Sequence, residues 1–127
     1  MDNKKRILII DDEPTFTHLL KLNLERTGEF EVQEENQGTL GLETAKKFKP
    51  DLILLDVIMP DIDGGALAAQ IKDDKEVKHT PIVFLTAILP KKEVRLNDGF
   101  IAGNEFIAKP VSAEEVVSRI KKRFGEN

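Results

Sequence analysis

The sequence predicts an α/β fold built on a parallel β-sheet, and three observations lead to this class. Five short apolar segments alternate along the chain with amphipathic segments, which is typical of repeated strand–helix–strand units. Several of the apolar segments end on polar residues, at the position where open α/β sheets bind ligands. The length of 127 residues suits one domain with a real core, so we predict a single domain over residues 1–127 with its core at about 5–124.

Composition and charge exclude several classes of function. The net charge of -4 argues against bulk binding of nucleic acid by this chain. No apolar run approaches the ~20 residues needed to span a bilayer, and the charged start is unlike a signal peptide. The absence of Cys excludes disulfides and thiol chemistry. We therefore expect a cytoplasmic protein that binds neither a membrane nor nucleic acid directly.

The first half of the fold begins with a strand at residues 6–10, followed by the helix with the clearest periodicity. Gly28 supplies the stop signal of this helix. A weaker, peripheral strand is predicted at residues 30–33. The predicted inner face of the helix consists of Phe16, Leu19, Leu20, Asn23, Leu24 and Thr27.

The second and third helices flank an apolar strand at residues 52–55. Pro50 ends the second helix, and the third starts near Gly64-Gly65. Ala68 and Ile71 belong to this third helix. The inner face of the second helix is predicted to consist of Gly41, Leu42, Ala45 and Phe48.

The last elements are a strand at residues 82–85, a helix at roughly 91–102, a strand at 106–108 and a final helix. The helix at 91–102 has weak support, because it is polar and contains Gly99, which costs about 1 kcal/mol relative to Ala. The final helix opens with a capping box at residues 112–115. Its apolar stripe is Val116, Val117, Ile120 and Phe124.

Polar side chains stand where the predicted strands end. Asp11 and Asp12 follow the first strand, Asp56 ends the third, Thr86 ends the fourth and Lys109 follows the fifth. Because the carboxyl ends of parallel strands share one edge of the sheet, three carboxylates, a hydroxyl and an ammonium should meet there.

Such a group of side chains suits phosphoryl transfer. Three close carboxylates repel one another, so either one of them takes up a proton or a divalent cation neutralises them. With oxygen ligands only, Mg²⁺ is the expected ion. A carboxylate is a competent nucleophile toward phosphorus, and the product would be an aspartyl-phosphate.

Four matches occur in order along the chain: Asp11-Asp12, Asp56 within LLDVIMPDIDG, Thr86, and Lys109-Pro110. With them the chain resembles the receiver domains of two-component response regulators over essentially its whole length. The resemblance implies a doubly wound, flavodoxin-like, three-layer fold with five helices and a five-stranded parallel sheet of order 2-1-3-4-5.

The resemblance also implies a role for each carboxylate. Asp56 would accept a phosphoryl group from a sensor histidine kinase or a phosphotransfer protein. Asp12 and Asp56 would bind Mg²⁺ directly, together with the backbone carbonyl of Ile58, and Asp11 would act through a metal-bound water. Mn²⁺ would be an acceptable substitute. The domain would catalyse only its own phosphorylation and dephosphorylation.

Further roles implied by the resemblance concern signalling. Lys109 would pair with the phosphoryl oxygens, and its bond to Pro110 would be cis. Thr86 would move toward the phosphate and Phe106 would turn inward, although core packing explains Phe106 equally well. The face made by the predicted fourth helix, fifth strand and fifth helix would then bind an output partner or a second copy of the chain.

Other functions remain open at this point. Asp61-Ile62-Asp63-Gly64 resembles the DxDG motif of phosphatases that form an aspartyl-phosphate, but Met59-Pro60 separates it from the strand. The same motif lacks the later ligands of a calcium loop. A degenerate receiver that only binds partners is a third alternative. The chain could be a single-domain regulator or a module of a longer protein.

Two positions near the expected site are apolar. Ile58 lies two residues after Asp56, and Ile88 lies two residues after Thr86. In the family that the chain resembles, polar residues at these positions can orient the attacking water. We therefore predict a long-lived aspartyl-phosphate.

Overall fold

The computed structural model describes residues 3–87, 100–101, 104–109 and 111–125. Its strands are β1 (Lys5–Ile10), β2 (Phe30–Glu35), β3 (Leu52–Asp56), β4 (Ile82–Thr86), β5 (Phe100–Ile101) and β6 (Asn104–Ala108). Its helices are α1 (Pro14–Arg26), α2 (Gly41–Phe48), α3 (Gly64–Lys72) and α4 (Ala113–Arg123), with a 3₁₀ turn at Gly38–Leu40. Among these described helices, none has the length and apolar character needed to cross a membrane.

The strands form one sheet of order β2-β1-β3-β4-β6-β5. The first five strands in this order pair in parallel, and β5 pairs antiparallel with β6. Because β6 is the fifth parallel strand, the predicted order 2-1-3-4-5 is confirmed. Every residue of β3 and β4 is buried, as expected of central strands covered on both faces, whereas β2 alternates between buried and exposed residues at its start.

Two apolar cores lie on opposite faces of the sheet. On one face, Leu20 and Leu24 of α1 pack with Val116 and Ile120 of α4 over strand residues such as Ile7. On the other face, the core includes Ala45 of α2, three residues of α3 and strand residues on that side. The three α3 residues are Leu67, Ala68 and Ile71. Helices therefore cover both faces, and the fold is the predicted three-layer arrangement.

Local signals in the sequence set the helix ends. Pro14 occupies the first turn of α1, where a missing N–H costs nothing, and Gly28 follows that helix with φ +79°. Asp63 accepts a hydrogen bond from the backbone N–H of Ala66 at the start of α3. Ser112 caps α4 by accepting from the N–H of Glu115 at 3.1 Å, as the predicted capping box requires of it.

The predicted inner face of α1 is wrong at Leu19, which is 59% exposed, and at Thr27, which is also exposed. Thr17 is buried instead, because its hydroxyl donates to Glu34 of β2 and accepts from Asn36. Hydrogen bonds to residues at the end of β2 therefore orient the polar Thr17 side chain of α1 toward the sheet. Periodicity alone could not show this.

The end of the predicted fourth helix is also wrong. Phe100 and Ile101 form strand β5, which pairs with Glu105 and Asn104 of β6. This pairing, with residues three and five positions further along the chain, overrides the helical pattern. Residues 91–99 and Ala102, which make up the rest of that predicted helix, lie outside the described residues.

Candidate functional site

The site lies at the carboxyl edge of the parallel strands. Asp11 follows β1, Asp56 is the last residue of β3, Thr86 is the last residue of β4, and Lys109 follows β6. Asp56 is aligned with Leu85 in the sheet, and Thr86 is aligned with Ala108. The parallel register therefore brings to one edge side chains that lie up to 98 residues apart in the sequence.

Asp11, Asp12 and Asp56 form a carboxylate cluster in which one oxygen from each lies within 4.8 Å of the others. Asp11 is fully buried, Asp56 is 6% exposed and Asp12 is half-buried. Burial raises the pKa of Asp11, and burial together with the charge of Asp11 raises the pKa of Asp56 to about 6. The raised pKa values of Asp11 and Asp56 show that ionising both buried carboxylates is unfavourable here without added positive charge.

Lys109 supplies the positive charge of the site. Its Nζ lies 2.7 Å from Asp11 Oδ2, 3.1 Å from Glu13 Oε1 and 3.8 Å from Asp56 Oδ1. The ammonium also lies 4.5 Å from the centre of the Phe16 ring. Although burial opposes the charged form, these carboxylates raise the pKa of Lys109, so the side chain remains an ammonium.

Thr86 and Phe106 lie on neighbouring strands. Thr86 is buried, and its carbonyl oxygen accepts a 2.7 Å hydrogen bond from the backbone N–H of Lys109. This bond ties the end of β4 to the residue that carries the ammonium. The Phe106 ring stacks on Phe84 with 5.3 Å between centroids and packs against the core under α2 and α3.

A close backbone contact shapes the loop after Asp56. Gly64 donates its N–H to Val57 O at 2.8 Å, and a Cβ at Gly64 would lie 2.2 Å from Asp56 O. Only glycine allows the start of α3 to approach β3 this closely. Ile58, whose carbonyl is a predicted metal ligand, follows in the loop with its side chain 58% exposed.

The carboxylates of the DxDG motif have structural partners. Asp61 Oδ2 accepts a 2.9 Å hydrogen bond from the backbone N–H of Thr39, and this bond lowers the pKa of Asp61. Asp63 is the N-cap of α3. Each of the two side chains therefore stabilises local backbone.

Sequence reasoning did not find Glu13 and Asn36. Glu13 contacts Lys109, and Asn36 donates a 2.8 Å hydrogen bond to the carbonyl oxygen of Asp11. Asn36 follows β2, so the strand-end rule would have found it if the predicted strand had reached residue 35. Ile88 and Pro110, including the predicted cis bond, lie outside the described residues.

Comparisons with known proteins agree with this geometry. Residues 7–121 match the family model of the response regulator receiver domain. The chain is 35% identical over 117 residues to the DNA-binding dual master transcriptional regulator RpaA of Synechocystis, and 40% identical over 116 residues to the transcriptional regulatory protein SrrA of Staphylococcus aureus. Each match covers 91% of this chain but 47% and 46%, respectively, of the relative, so the chain spans less than half of their length.

Two solved structures are similar along nearly their whole length. The receiver domain of the Pseudomonas aeruginosa sensor histidine kinase PA1611, which has magnesium coordinated in its active-site cleft, superposes with a TM-score of 0.77 at 25% identity. That match covers 97% of this chain and 99% of the other. A CheY-like response regulator receiver domain protein from Methanospirillum hungatei gives a TM-score of 0.79 at 26% identity, covering 97% and 95%. The chain belongs to the response regulator receiver domain family.

Proposed function

We propose that Asp56 is the phosphoacceptor of this receiver and takes its phosphoryl group from a phosphohistidine on a sensor kinase or phosphotransfer protein. The observation that carries this proposal is the position of Asp56 between two further carboxylates and the Lys109 ammonium, 3.8 Å from Asp56 Oδ1. The carboxylates can hold a cation, and the ammonium can meet the oxygens of an incoming phosphoryl group.

The cluster fits Mg²⁺, with Mn²⁺ as a substitute. All three side chains offer oxygen, the ligand type that Mg²⁺ prefers, and the half-buried Asp12 leaves room for water. The magnesium-bound receiver domain of PA1611 has the same fold. Asp12, Asp56 and the Ile58 carbonyl would hold the ion, and Asp11 would act through water. The bound ion would neutralise charge on the carboxylates and on the phosphoryl oxygens.

The chemistry assigned to the chain is a transfer to its own side chain. A carboxylate oxygen of Asp56 forms a bond to phosphorus while the bond from phosphorus to the donor's imidazole nitrogen breaks. Lys109 then donates hydrogen bonds to the phosphoryl group, and water later hydrolyses the acyl phosphate. The domain acts on itself and on no other substrate, so we class it as a switch.

The switch would work through Thr86 and Phe106. Thr86 ends the strand next to Asp56, so a phosphoryl group on Asp56 offers its hydroxyl an acceptor. Phe106 is aligned with Phe84 on the neighbouring strand, two residues before Thr86. A shift of Thr86 would therefore change the packing of the aromatic pair and the surface next to β6 and α4.

The partner at that surface is a separate proposal. The curated relatives are longer transcriptional regulators, which favours an output domain joined to this receiver. In that arrangement, phosphorylation would control the output domain through dimer formation, and any contact with DNA would belong to the output domain. A separate output protein is the alternative.

The test is phosphorylation by acetyl phosphate in Mg²⁺ buffer, followed by intact mass. We expect one added phosphoryl group, lost in Asp56→Asn and retained in Asp61→Asn, a matched carboxylate outside the cluster. Beryllofluoride, a phosphoryl mimic, should bind under the same conditions. No addition and no response to beryllofluoride would instead identify a degenerate receiver that signals by binding alone.

A further inference from the structure

We infer that Asn36 is a positioning residue for the cation site, because it fixes the peptide that joins Asp11 to Asp12. This inference rests on the proposed Mg²⁺-dependent function. The side-chain hydrogen bonds of Asn36 go to the Asp11 carbonyl oxygen and to Thr17, so we assign its action to the backbone that carries two of the carboxylates.

The positioning problem arises from the geometry of a strand. Successive side chains of an extended strand point to opposite faces, yet Asp11 and Asp12 both contribute to one cluster. The chain must therefore leave the strand geometry after β1, which ends at Ile10. A backbone that leaves the sheet also loses its ladder partners, and its polar groups need new ones.

The end of β2 holds both polar groups of the Asp11 backbone. The N–H of Asp11 makes the last bond of the β1–β2 ladder, to Glu35 O at 3.1 Å, whereas the carbonyl oxygen of Asp11 accepts from the side-chain Nδ2 of Asn36 at 2.8 Å. That carbonyl belongs to the peptide between Asp11 and Asp12. Both polar groups of the Asp11 backbone are thus held by two consecutive residues of the neighbouring segment.

Asn36 is itself held in place. Its Nδ2 also donates to Thr17 Oγ1 at 2.9 Å, and the buried Thr17 hydroxyl donates to Glu34 Oε1 at 2.7 Å. A carbonyl oxygen only accepts, so the amide group must turn its NH₂ toward Asp11. Asn36 therefore donates to both Asp11 and Thr17, and Thr17 donates to Glu34. Through these bonds α1 and β2 together orient the Asp11–Asp12 peptide.

Removal of the amide should weaken cation binding without slowing the chemistry that follows. Partners that orient metal ligands typically change metal affinity by about 10–100-fold when they are replaced. In Asn36→Ala we expect the Mg²⁺ dissociation constant of the 127-residue chain, measured by titration calorimetry, to rise about tenfold. The rate of phosphorylation by acetyl phosphate should return to within about twofold of the wild type once Mg²⁺ is saturating.

Two further variants make the test specific. Thr17→Val removes the acceptor that holds Asn36, so it should weaken Mg²⁺ binding less than Asn36→Ala and add nothing to it in the double variant. Thr44→Val breaks the 2.6 Å bond from Thr44 to Glu35 Oε1 at the same strand end, without contact to the Asp11–Asp12 peptide, and should leave affinity unchanged.

The outcomes separate this inference from the function on which it rests. A wild-type chain that neither binds Mg²⁺ nor accepts a phosphoryl group would overturn both. A wild-type chain that does both, while Asn36→Ala binds Mg²⁺ with equal affinity, would overturn only the role of Asn36. A rate defect in Asn36→Ala that saturating Mg²⁺ leaves unchanged would also overturn it, since positioning of the cation would not be its cause.

Discussion

The Lys109 ammonium donates a 2.7 Å hydrogen bond to Asp11, the fully buried carboxylate, and lies 3.8 Å from the proposed phosphoacceptor Asp56. In this structure the lysine is therefore hydrogen-bonded to Asp11 and Glu13, and it lies near the proposed phosphoacceptor without a hydrogen bond to it. On phosphorylation, a short movement of one side chain would bring its charge to the phosphoryl oxygens.

Replacement of Lys109 by Ala should lower both stability and activity. The buried Asp11 carboxylate would lose its charged partner, which we expect to destabilise the metal-free protein by about 1–3 kcal/mol at pH 8. Phosphorylation by acetyl phosphate at saturating Mg²⁺ should slow about 100-fold, because the developing charge loses a donor. Urea denaturation and intact mass measure the two effects. Lys46→Ala, which removes an exposed lysine paired with Asp74 and Glu76, is the control and should change neither.

The pKa of Asp56 predicts a pH-dependent difference between the wild type and Asp56→Asn in the presence of EDTA. The folded state raises this pKa from its ordinary value of 3.8 to about 6, so it favours the protonated carboxyl. The stabilisation that the protonated Asp56 carboxyl gives the folded state is fully present below pH 3.8, and it is lost as the pH rises through about 6. At pH 7.5 Asp56→Asn should be more stable than the wild type by about 1–2 kcal/mol.

Unfolding monitored by circular dichroism at pH 4, 5, 6 and 7.5 measures this difference in stability. Saturating Mg²⁺ should reduce or reverse it, because only the wild type retains the full set of ligands. A difference that is constant from pH 4 to pH 7.5 would contradict the assigned pKa.

Ile58 should prolong the lifetime of the aspartyl-phosphate. Its exposed apolar side chain stands two residues after Asp56 and offers no hydrogen bond to an attacking water. We expect Ile58→Asn to speed the loss of the phosphoryl group roughly threefold to tenfold. The decay is followed by intact mass after the phosphodonor is removed, with Leu40→Asn as an exposed apolar control. Equal decay rates in all three proteins would argue against this role, and Ile88→Glu tests the second apolar position.

The neighbouring glycines at the start of α3 should differ in how much they lose on replacement by alanine. In Gly64→Ala the new Cβ would press against Asp56 O, and we expect a loss of about 1–3 kcal/mol in the free energy of unfolding. In Gly65→Ala the nearest atom is Asp63 Oδ2, 3.0 Å from the new Cβ, which is the oxygen that caps α3. The better helix propensity of Ala and the disturbed cap should largely cancel, and we expect a change within about 0.5 kcal/mol. Urea denaturation compares the two. Equal effects would contradict the close approach at Gly64.

Thr86→Val should separate phosphorylation from the proposed response. Valine keeps the shape of the buried side chain but lacks the hydroxyl that would bond the phosphoryl group. The variant should still gain one phosphoryl group, whereas the NMR signals of Phe106 should no longer shift on addition of beryllofluoride. A normal Phe106 shift in Thr86→Val would assign the coupling to another residue.

The sequence revealed those parts of the site that depend on strand ends. Asp56, Thr86 and Lys109 each end or follow an apolar run, and parallel pairing alone predicts that they share an edge. Glu13 and Asn36 could not be found in this way, because their partners are set by tertiary contacts with Lys109 and Asp11.

The same reasoning explains the errors in the fold. Leu19 has the spacing of a core residue, but the polar partners of Thr17 at the end of β2 determine which side of α1 faces the sheet. Phe100 and Ile101 are residue types that favour strands, but two residues are too few to show an alternating pattern. Their conformation depends on pairing with residues that follow them.

The two-residue strand β5 also has a consequence for solubility. A parallel sheet that ended at β6 would present that strand to other chains as a template for edge-to-edge aggregation. Ile101 and Phe100 instead pair with Asn104 and Glu105 within the same molecule. A very short antiparallel strand gives an incoming chain little length to extend. The β5 strand thereby occupies the free edge of β6 at Asn104 and Glu105, the first two residues of that strand.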